Sequence, residues 1–218
     1  MDLINKDFQY HYPDFYGTED VSLFLYSLIK CCRPQRLLEI GAGYSTFFIA
    51  KALKDIKDDI ENTVGESLVN VDWFKNQYNP YLEVIENESI EKNIEEIKNK
   101  LNKLNLSKFV KIKNQNIYSF DFNKKYDFIW IDFGNGKEYL DFFEKFEKTL
   151  VEGGVIIIHS TIGNLWGKLF ETELKLKIQK GIYSNLELIS FFEPHKSNQN
   201  SFTVIKKTKN YPISNLYA

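Results

Sequence analysis

Residues 37–46 read Leu-Leu-Glu-Ile-Gly-Ala-Gly-Tyr-Ser-Thr (LLEIGAGYST), and the order of chemistry in this stretch decides how the rest of the chain is parsed. Apolar Leu37, Leu38 and Ile40 belong to a short strand that begins at Arg36, Gly41–Gly43 form a turn, and Thr46–Leu53 (TFFIAKAL) reads as a helix. A strand that passes through glycines into a helix opens a parallel α/β unit. Its glycines permit positive φ and a close backbone approach to a ligand, and the helix start points free N–H groups at that ligand. A nicotinamide dinucleotide fingerprint would have a third glycine where Thr46 stands, and here an acid, Glu39, precedes the turn, so the stretch departs from that pattern.

On either side of this stretch, short apolar runs alternate with longer amphipathic stretches, as in a doubly wound α/β fold with a mostly parallel sheet. Upstream, Thr18 stands as a cap before a helix over Val21–Cys32 that leads through Pro34 into the first strand. Downstream, Tyr81–Glu86 is a second strand. Ile90–Leu104 is a helix whose apolar positions Ile90, Ile94, Ile97, Leu101 and Leu104 share one face. Phe109–Lys113, Tyr126–Ile131 and Val155–Ile158 supply three further strands, the last two apolar enough for burial on both faces. A helix over Glu138–Leu150 is expected to stop at Glu152-Gly153-Gly154, and another runs over about 165–180. Leu186–Phe192 and Ser201–Lys206 alternate and are read as an antiparallel hairpin joined by a short polar turn.

Composition narrows the function classes. With 218 residues the chain suits one domain with its own core. Formal net charge is -2, and among 28 basic residues only Arg33 and Arg36 are arginine, so nucleic acid is not an expected partner. No apolar run reaches the roughly 20 residues that span a bilayer, and the first residues (MDLINKDFQYHYPDF) are acidic and aromatic, which predicts no membrane association and a cytoplasmic location. Cys31 and Cys32 are adjacent and are read as buried small hydrophobes at a helix end.

In open parallel sheets ligands bind beyond the carboxyl ends of the strands. The residues there are Glu39 to Thr46 after the first strand, Glu86 and Asn87 at the second, Asn116-Ile117 past the third, Asp132 at the fourth and His159 at the fifth. An imidazole with an unperturbed pKa near 6.5 can accept a proton at neutral pH, which makes His159 a candidate general base and Asp132 a candidate to orient it or an acceptor. His159 could instead cap its strand through Ser160 or Thr161.

In this company LLEIGAGYST resembles motif I of class I S-adenosylmethionine-dependent methyltransferases, in the form common among small-molecule O-methyltransferases. The resemblance implies a seven-stranded Rossmann-like methyltransferase fold finished by the C-terminal hairpin, with Arg36 to His159 in family order. It implies S-adenosylmethionine as cofactor. Glu39 would lie near its methionine end, and Gly41, Ala42, Gly43, Ser45 and Thr46 under its ribose and methionine. Glu86, with Asn87, would lie at the ribose hydroxyls, Asn116-Ile117 at the adenine, and Asp132 at the mouth of the methyl-transfer site. Leu150-Val151-Glu152-Gly153-Gly154 resembles the family's L-x-P-G-G, with Glu152 in the place of proline.

The catechol-type branch of that family holds a divalent metal with an acid after the fourth strand and an acid-Asn pair after the fifth. Asp132 keeps the first, but the pair here is His159-Ser160, so the metal triad is not intact and a divalent metal is not expected. The expected reaction is methyl transfer to a hydroxyl, or less readily an amine, of a small molecule such as a sugar, a phosphorylated metabolite or a phenol. The alternatives are a metal-dependent O-methyltransferase and a module that binds cofactor without transferring anything. The acceptor pocket is expected from Tyr12 and Tyr16 in an N-terminal lid within 1–32, from Phe133 and Tyr139, from Trp166, and from His195 near the hairpin tip. Residues 54–80 read as an insertion before the second strand that packs as an extra helix or mediates a homodimer. Within it Leu68–Asp72 is a competing second strand, with Asp72 as the ribose acid.

Overall fold

The computed structural model describes residues 17–62, 78–87, 94–134 and 136–209 of the chain. The helices are α1 (Glu19–Cys32), α2 (Tyr44–Asn62), α3 (Ile94–Lys103), α4 (Lys137–Thr149) and α5 (Leu165–Gln179). The strands are β1 (Arg36–Ile40), β2 (Tyr81–Glu86), β3 (Val110–Asn114), β4 (Tyr126–Ile131), β5 (Leu150–His159), β6 (Leu186–Phe192) and β7 (Ser201–Lys207). They form one seven-stranded sheet in the order β3-β2-β1-β4-β5-β7-β6. Pairing is parallel from β3 through β5, and β7 inserts antiparallel between β5 and β6.

The chain direction reverses its march across the sheet at β1 and β4, the topological switch point where open sheets bind ligands. The sheet is buried on both faces because helices cover each. Val21, Leu25 and Ile29 of α1, the apolar stripe of α2, and Ile97 and Leu101 of α3 pack on one side. Tyr139, Phe142, Phe143 and Phe146 of α4, with Phe170 and Leu174 of α5, pack on the other. Burial of that many apolar side chains, each worth about 1.5–3 kcal/mol, accounts for the central position of the near-continuous apolar runs of β1 and β4. Among the described residues no helix is long and apolar enough to cross a membrane.

Several sequence expectations are corrected. The helix after β1 does not end at Leu53 but continues to Asn62, because Ile56 and Ile60 extend the buried stripe of Ile49 and Leu53. Part of the expected 54–80 insertion is therefore helix α2, and 63–77, including Leu68–Asp72, lies outside the described residues. Helix α4 ends at Thr149, and Glu152-Gly153-Gly154 lie inside β5, with Gly153 at φ 78, next to an irregularity in the β4–β5 register. Cys31 and Cys32 are exposed, since the buried stripe of α1 ends at Ile29 and the helix is closed by Arg33 in the left-handed region. Thr18 precedes α1 but its side chain makes no capping hydrogen bond. The link between β6 and β7 is a loop over 193–200, closed by Glu193 N–H donating to the Asn200 carbonyl at 2.7 Å. Ile90 and the lid residues Tyr12 and Tyr16 lie outside the described residues.

Candidate active site

Residues two apart on a strand share a face, and the parallel register turns that rule into a site. Glu39 of β1 pairs with Trp130 of β4, which pairs with Ile157 of β5. Gly41, Asp132 and His159 come two positions later on the same three strands and therefore cluster at their carboxyl ends.

The turn after β1 is pinned from both sides. Asp132 N–H donates to the Ile40 carbonyl at 2.9 Å, and Gly41 N–H to the Ile85 carbonyl at 3.0 Å. Gly41 adopts φ 93, and a Cβ there would land on the carbonyl oxygen of Asp132, so glycine is required both by conformation and by space. Ala42 N–H donates to Glu86 Oε2 at 2.8 Å, which ties the ends of β1 and β2 together. Gly43 N–H donates to Thr46 Oγ1 at 3.0 Å, so Thr46 supports the turn from inside the first helical residues. The Ser45 hydroxyl donates to Glu39 Oε1 at 2.6 Å and accepts the Trp130 indole N–H at 3.1 Å.

Glu39 and Glu86 are both buried, at 0% and 5% relative exposure, on either side of the glycine turn. Two buried carboxylates at the open end of a sheet suit a ligand that brings hydrogen-bond donors and positive charge. Asn116 uses its side-chain oxygen to accept Tyr118 N–H at 2.9 Å and so opens a short 3₁₀ turn (Ile117–Ser119) past β3, with Ile117 buried. Asn87 follows β2 and is exposed.

On the acceptor side His159 Nδ1 lies 2.9 Å from Asp132 Oδ1, and His159 Nε2 lies 3.2 Å from the Gln199 carbonyl oxygen. A carbonyl can only accept, so Nε2 carries a proton, and opposite an ionised Asp132 the second contact puts one on Nδ1 as well, the imidazolium form. Burial pushes the His159 pKa down, but the Asp132 charge and hydrogen bond, with the Glu193 charge and the Gln199 carbonyl, outweigh it and hold the pKa above its ordinary value. In this arrangement His159, only 1% exposed, already carries the proton that a general base would have to collect. The expected capping through Ser160 or Thr161 is not what holds it. Ser160 accepts from Asn164 Nδ2 through both its carbonyl and its hydroxyl, and Thr161 Oγ1 lies 2.6 Å from Thr203 Oγ1.

Of the expected acceptor-pocket residues, Tyr139 is buried and its hydroxyl donates to the His159 carbonyl at 2.9 Å, so it braces the end of β5 from the far side instead of facing an acceptor. Phe133 is half-buried between the rings of Tyr139 and Phe142. Trp166 is 41% exposed beside Lys137, and a Cβ on Gly136 would meet Gly167 N at 2.7 Å, so the starts of α4 and α5 adjoin. His195 is exposed, and its Nε2 lies 2.9 Å from Asp20 Oδ2. Lys196 donates to the Gly17 carbonyl at 3.0 Å and to Glu193 at 2.9 Å. The 193–200 loop is thus held by α1 on one side and touches His159 on the other.

Two contributors were not singled out in the sequence. Trp130 stands two positions before Asp132, so strand alternation would have found it. Gln199 acts through its backbone carbonyl, and no side-chain pattern announces that.

Residues 38–161 match the profile of a family described as a methyltransferase domain. No curated protein matches the chain. The fold is similar to that of the O-methyltransferase TomG from Streptomyces achromogenes, involved in tomaymycin synthesis and in complex with SAM, with TM-score 0.63 and 16% identity over 92% of this chain and 85% of that one. It is similar to an O-methyltransferase from Bacillus cereus in complex with SAH, with TM-score 0.63 and 16% identity over 93% of this chain and 87% of the other. It is also similar to the SAH-bound methyltransferase PaMTH1 of Podospora anserina, with TM-score 0.62 and 14% identity over 94% of this chain and 87% of the other. With more than half its length inside the family match, and with the parallel sheet and C-terminal hairpin arranged around the glycine turn, this chain belongs to the methyltransferase-domain family.

Proposed function

We propose that the chain transfers the methyl group of S-adenosylmethionine to a hydroxyl of a small molecule, without a divalent metal. The observation that carries the cofactor half is the pair of buried acids Glu39 and Glu86 flanking the turn at Gly41–Gly43. These residues fit the group. Glu39 suits a positively charged methionine end, Glu86 suits paired ribose hydroxyls, and the start of the 19-residue helix α2 lies under both. All three of the solved proteins of similar fold named above are complexes with SAM or SAH, which supports the same choice.

When bound, S-adenosylmethionine supplies an electrophilic methyl on a sulfonium. The chain's own task is then to hold an acceptor oxygen in line, exclude water and take up the hydroxyl proton. Asp132, whose side chain is 30% exposed at the mouth, is the group with access to an acceptor. His159 serves it from behind: the imidazolium orients the carboxylate, and the Asp132 carboxylate receives the acceptor's proton. This assigns the base role to Asp132 and moves His159 from direct base to orienting partner. Phe133 and Trp166 line the approach.

Metal-independence is supported by the same contacts, because His159 Nδ1 and Nε2 are directed at Asp132 and Gln199 at the position where the metal-dependent branch carries an acid-Asn pair. The sparse arginine and net charge of -2 favour a small-molecule acceptor over nucleic acid. Calorimetry with S-adenosylmethionine, S-adenosylhomocysteine and a nicotinamide dinucleotide tests the cofactor, and only the first two are expected to bind. Labelled-methyl transfer to a panel of sugars, sugar phosphates and phenols tests the acceptor. Turnover surviving EDTA supports the metal-free reading, whereas loss on EDTA with recovery on one added divalent ion overturns it.

A further inference from the structure

The geometry points to Trp130 as a positioning residue that fixes the cofactor-side acid Glu39 through Ser45 and braces the ring of His159 on the acceptor side, so that one buried side chain sets both halves of the site. Trp130 is fully buried near the carboxyl end of β4 and is in register with Glu39 on one neighbour and Ile157 on the other. Its Nε1–H donates to Ser45 Oγ at 3.1 Å, and the Ser45 hydroxyl donates in turn to Glu39 Oε1 at 2.6 Å. An indole is a donor only, while a serine hydroxyl can both accept and donate. Once the indole N–H occupies a Ser45 lone pair, the serine proton is left directed at Glu39, and the carboxylate is fixed before any ligand arrives. The same indole lies 5.6 Å, centroid to centroid, from the His159 ring at an interplanar angle of 37°. That is within reach of the attraction between a cation and an aromatic face, which favours the doubly protonated imidazole that the Asp132 and Gln199 contacts require. Shape filling alone would be met by any large apolar residue. The directed N–H would not.

The inference rests on the cofactor reading of the preceding section, and the test keeps the two apart. In the cofactor-free protein the indole ¹H–¹⁵N signal of Trp130, assigned by its loss in Trp130→Phe, is expected to shift in both Ser45→Ala and Glu39→Gln. In calorimetry Ser45→Ala and Trp130→Phe are each expected to weaken S-adenosylmethionine binding by about 10- to 150-fold, the range for a hydrogen bond to a charged group. The double variant is expected to be no weaker than the worse single one, because both remove the same relay. Thermal unfolding checks that each variant is folded. Should Trp130→Phe fail to fold, the shift of the intact Trp130 signal in the other two variants decides. A signal that moves in neither variant overturns the relay, and so do affinity losses that simply add. If the wild-type protein binds neither S-adenosylmethionine nor S-adenosylhomocysteine, the cofactor reading falls while the indole signal still decides whether the relay exists.

Discussion

Asp132 and His159 come from neighbouring parallel strands, and the 2.9 Å contact between Oδ1 and Nδ1 is an ion pair because the opposite ring nitrogen faces the Gln199 carbonyl. A histidine whose folded pKa lies above its unfolded value adds stability that is fully present below pH about 6.5 and is lost as pH rises through the folded pKa. Chemical denaturation from pH 5.5 to about 9 should therefore show wild-type stability falling across that window, and His159→Gln should remove that slope. Parallel curves for the two proteins would falsify the ion pair.

Asp132→Asn keeps the shape of the mouth and a hydrogen-bonding oxygen but removes the charge. The expected outcome is a fall in kcat of about 100-fold or more with S-adenosylmethionine affinity within a few-fold of wild type, read by single-turnover transfer and by calorimetry. Affinity lost in step with kcat would place Asp132 in cofactor binding instead.

Gly41→Ala places a methyl group against the Asp132 carbonyl at a backbone conformation, φ 93, that alanine rarely adopts. We expect destabilisation of about 2 kcal/mol, measured by urea denaturation, together with weaker cofactor binding. A variant as stable as wild type would mean that the turn yields more easily than the two backbone hydrogen bonds flanking it imply.

Glu83 is buried in the middle of β2, paired with Lys113 and with Lys124 at 2.9 Å, and accepts the Tyr126 hydroxyl at 2.9 Å. Burial raises its pKa, but the two lysines and the tyrosine outweigh burial and hold the carboxyl below its ordinary value. A depressed carboxylate adds stability above its unfolded pKa and loses it as pH falls through the folded one. Glu83→Gln should cost about 2 kcal/mol at neutral pH and flatten the acid limb of the stability profile, as followed by circular dichroism. An unchanged acid limb would assign that limb to other carboxylates.

The parallel core was legible because its signals are local. Strand runs such as Tyr126–Ile131 are short and apolar, and the residue after each strand end is where the sheet presents chemistry, so Glu86, Asp132 and His159 could be placed from order alone. What escaped depends on distant chain or on burial with no pattern. The length of α2 was obscured by the charged run Lys54–Asn62, although Ile56 and Ile60 kept the helical spacing. The protonation of His159 is decided by a carbonyl 40 residues away, and no reading of its neighbours in sequence contains it. Tyr139 looked like a lining residue because its loop faces the mouth, but helix α4 turns its hydroxyl inward to the β5 backbone.

The contact between Lys196 and Gly17 joins residues separated by 179 positions, and β7, which follows Lys196, is the strand that covers the outer edge of β5. A ribosome releases the glycine turn and both acids long before it releases Lys196 or β7. Until they emerge, His159 has an open edge beside it and lacks the Gln199 contact. The proton-handling half of the site is thus completed by the last-made hairpin, while the cofactor-side acids come from the first half of the chain.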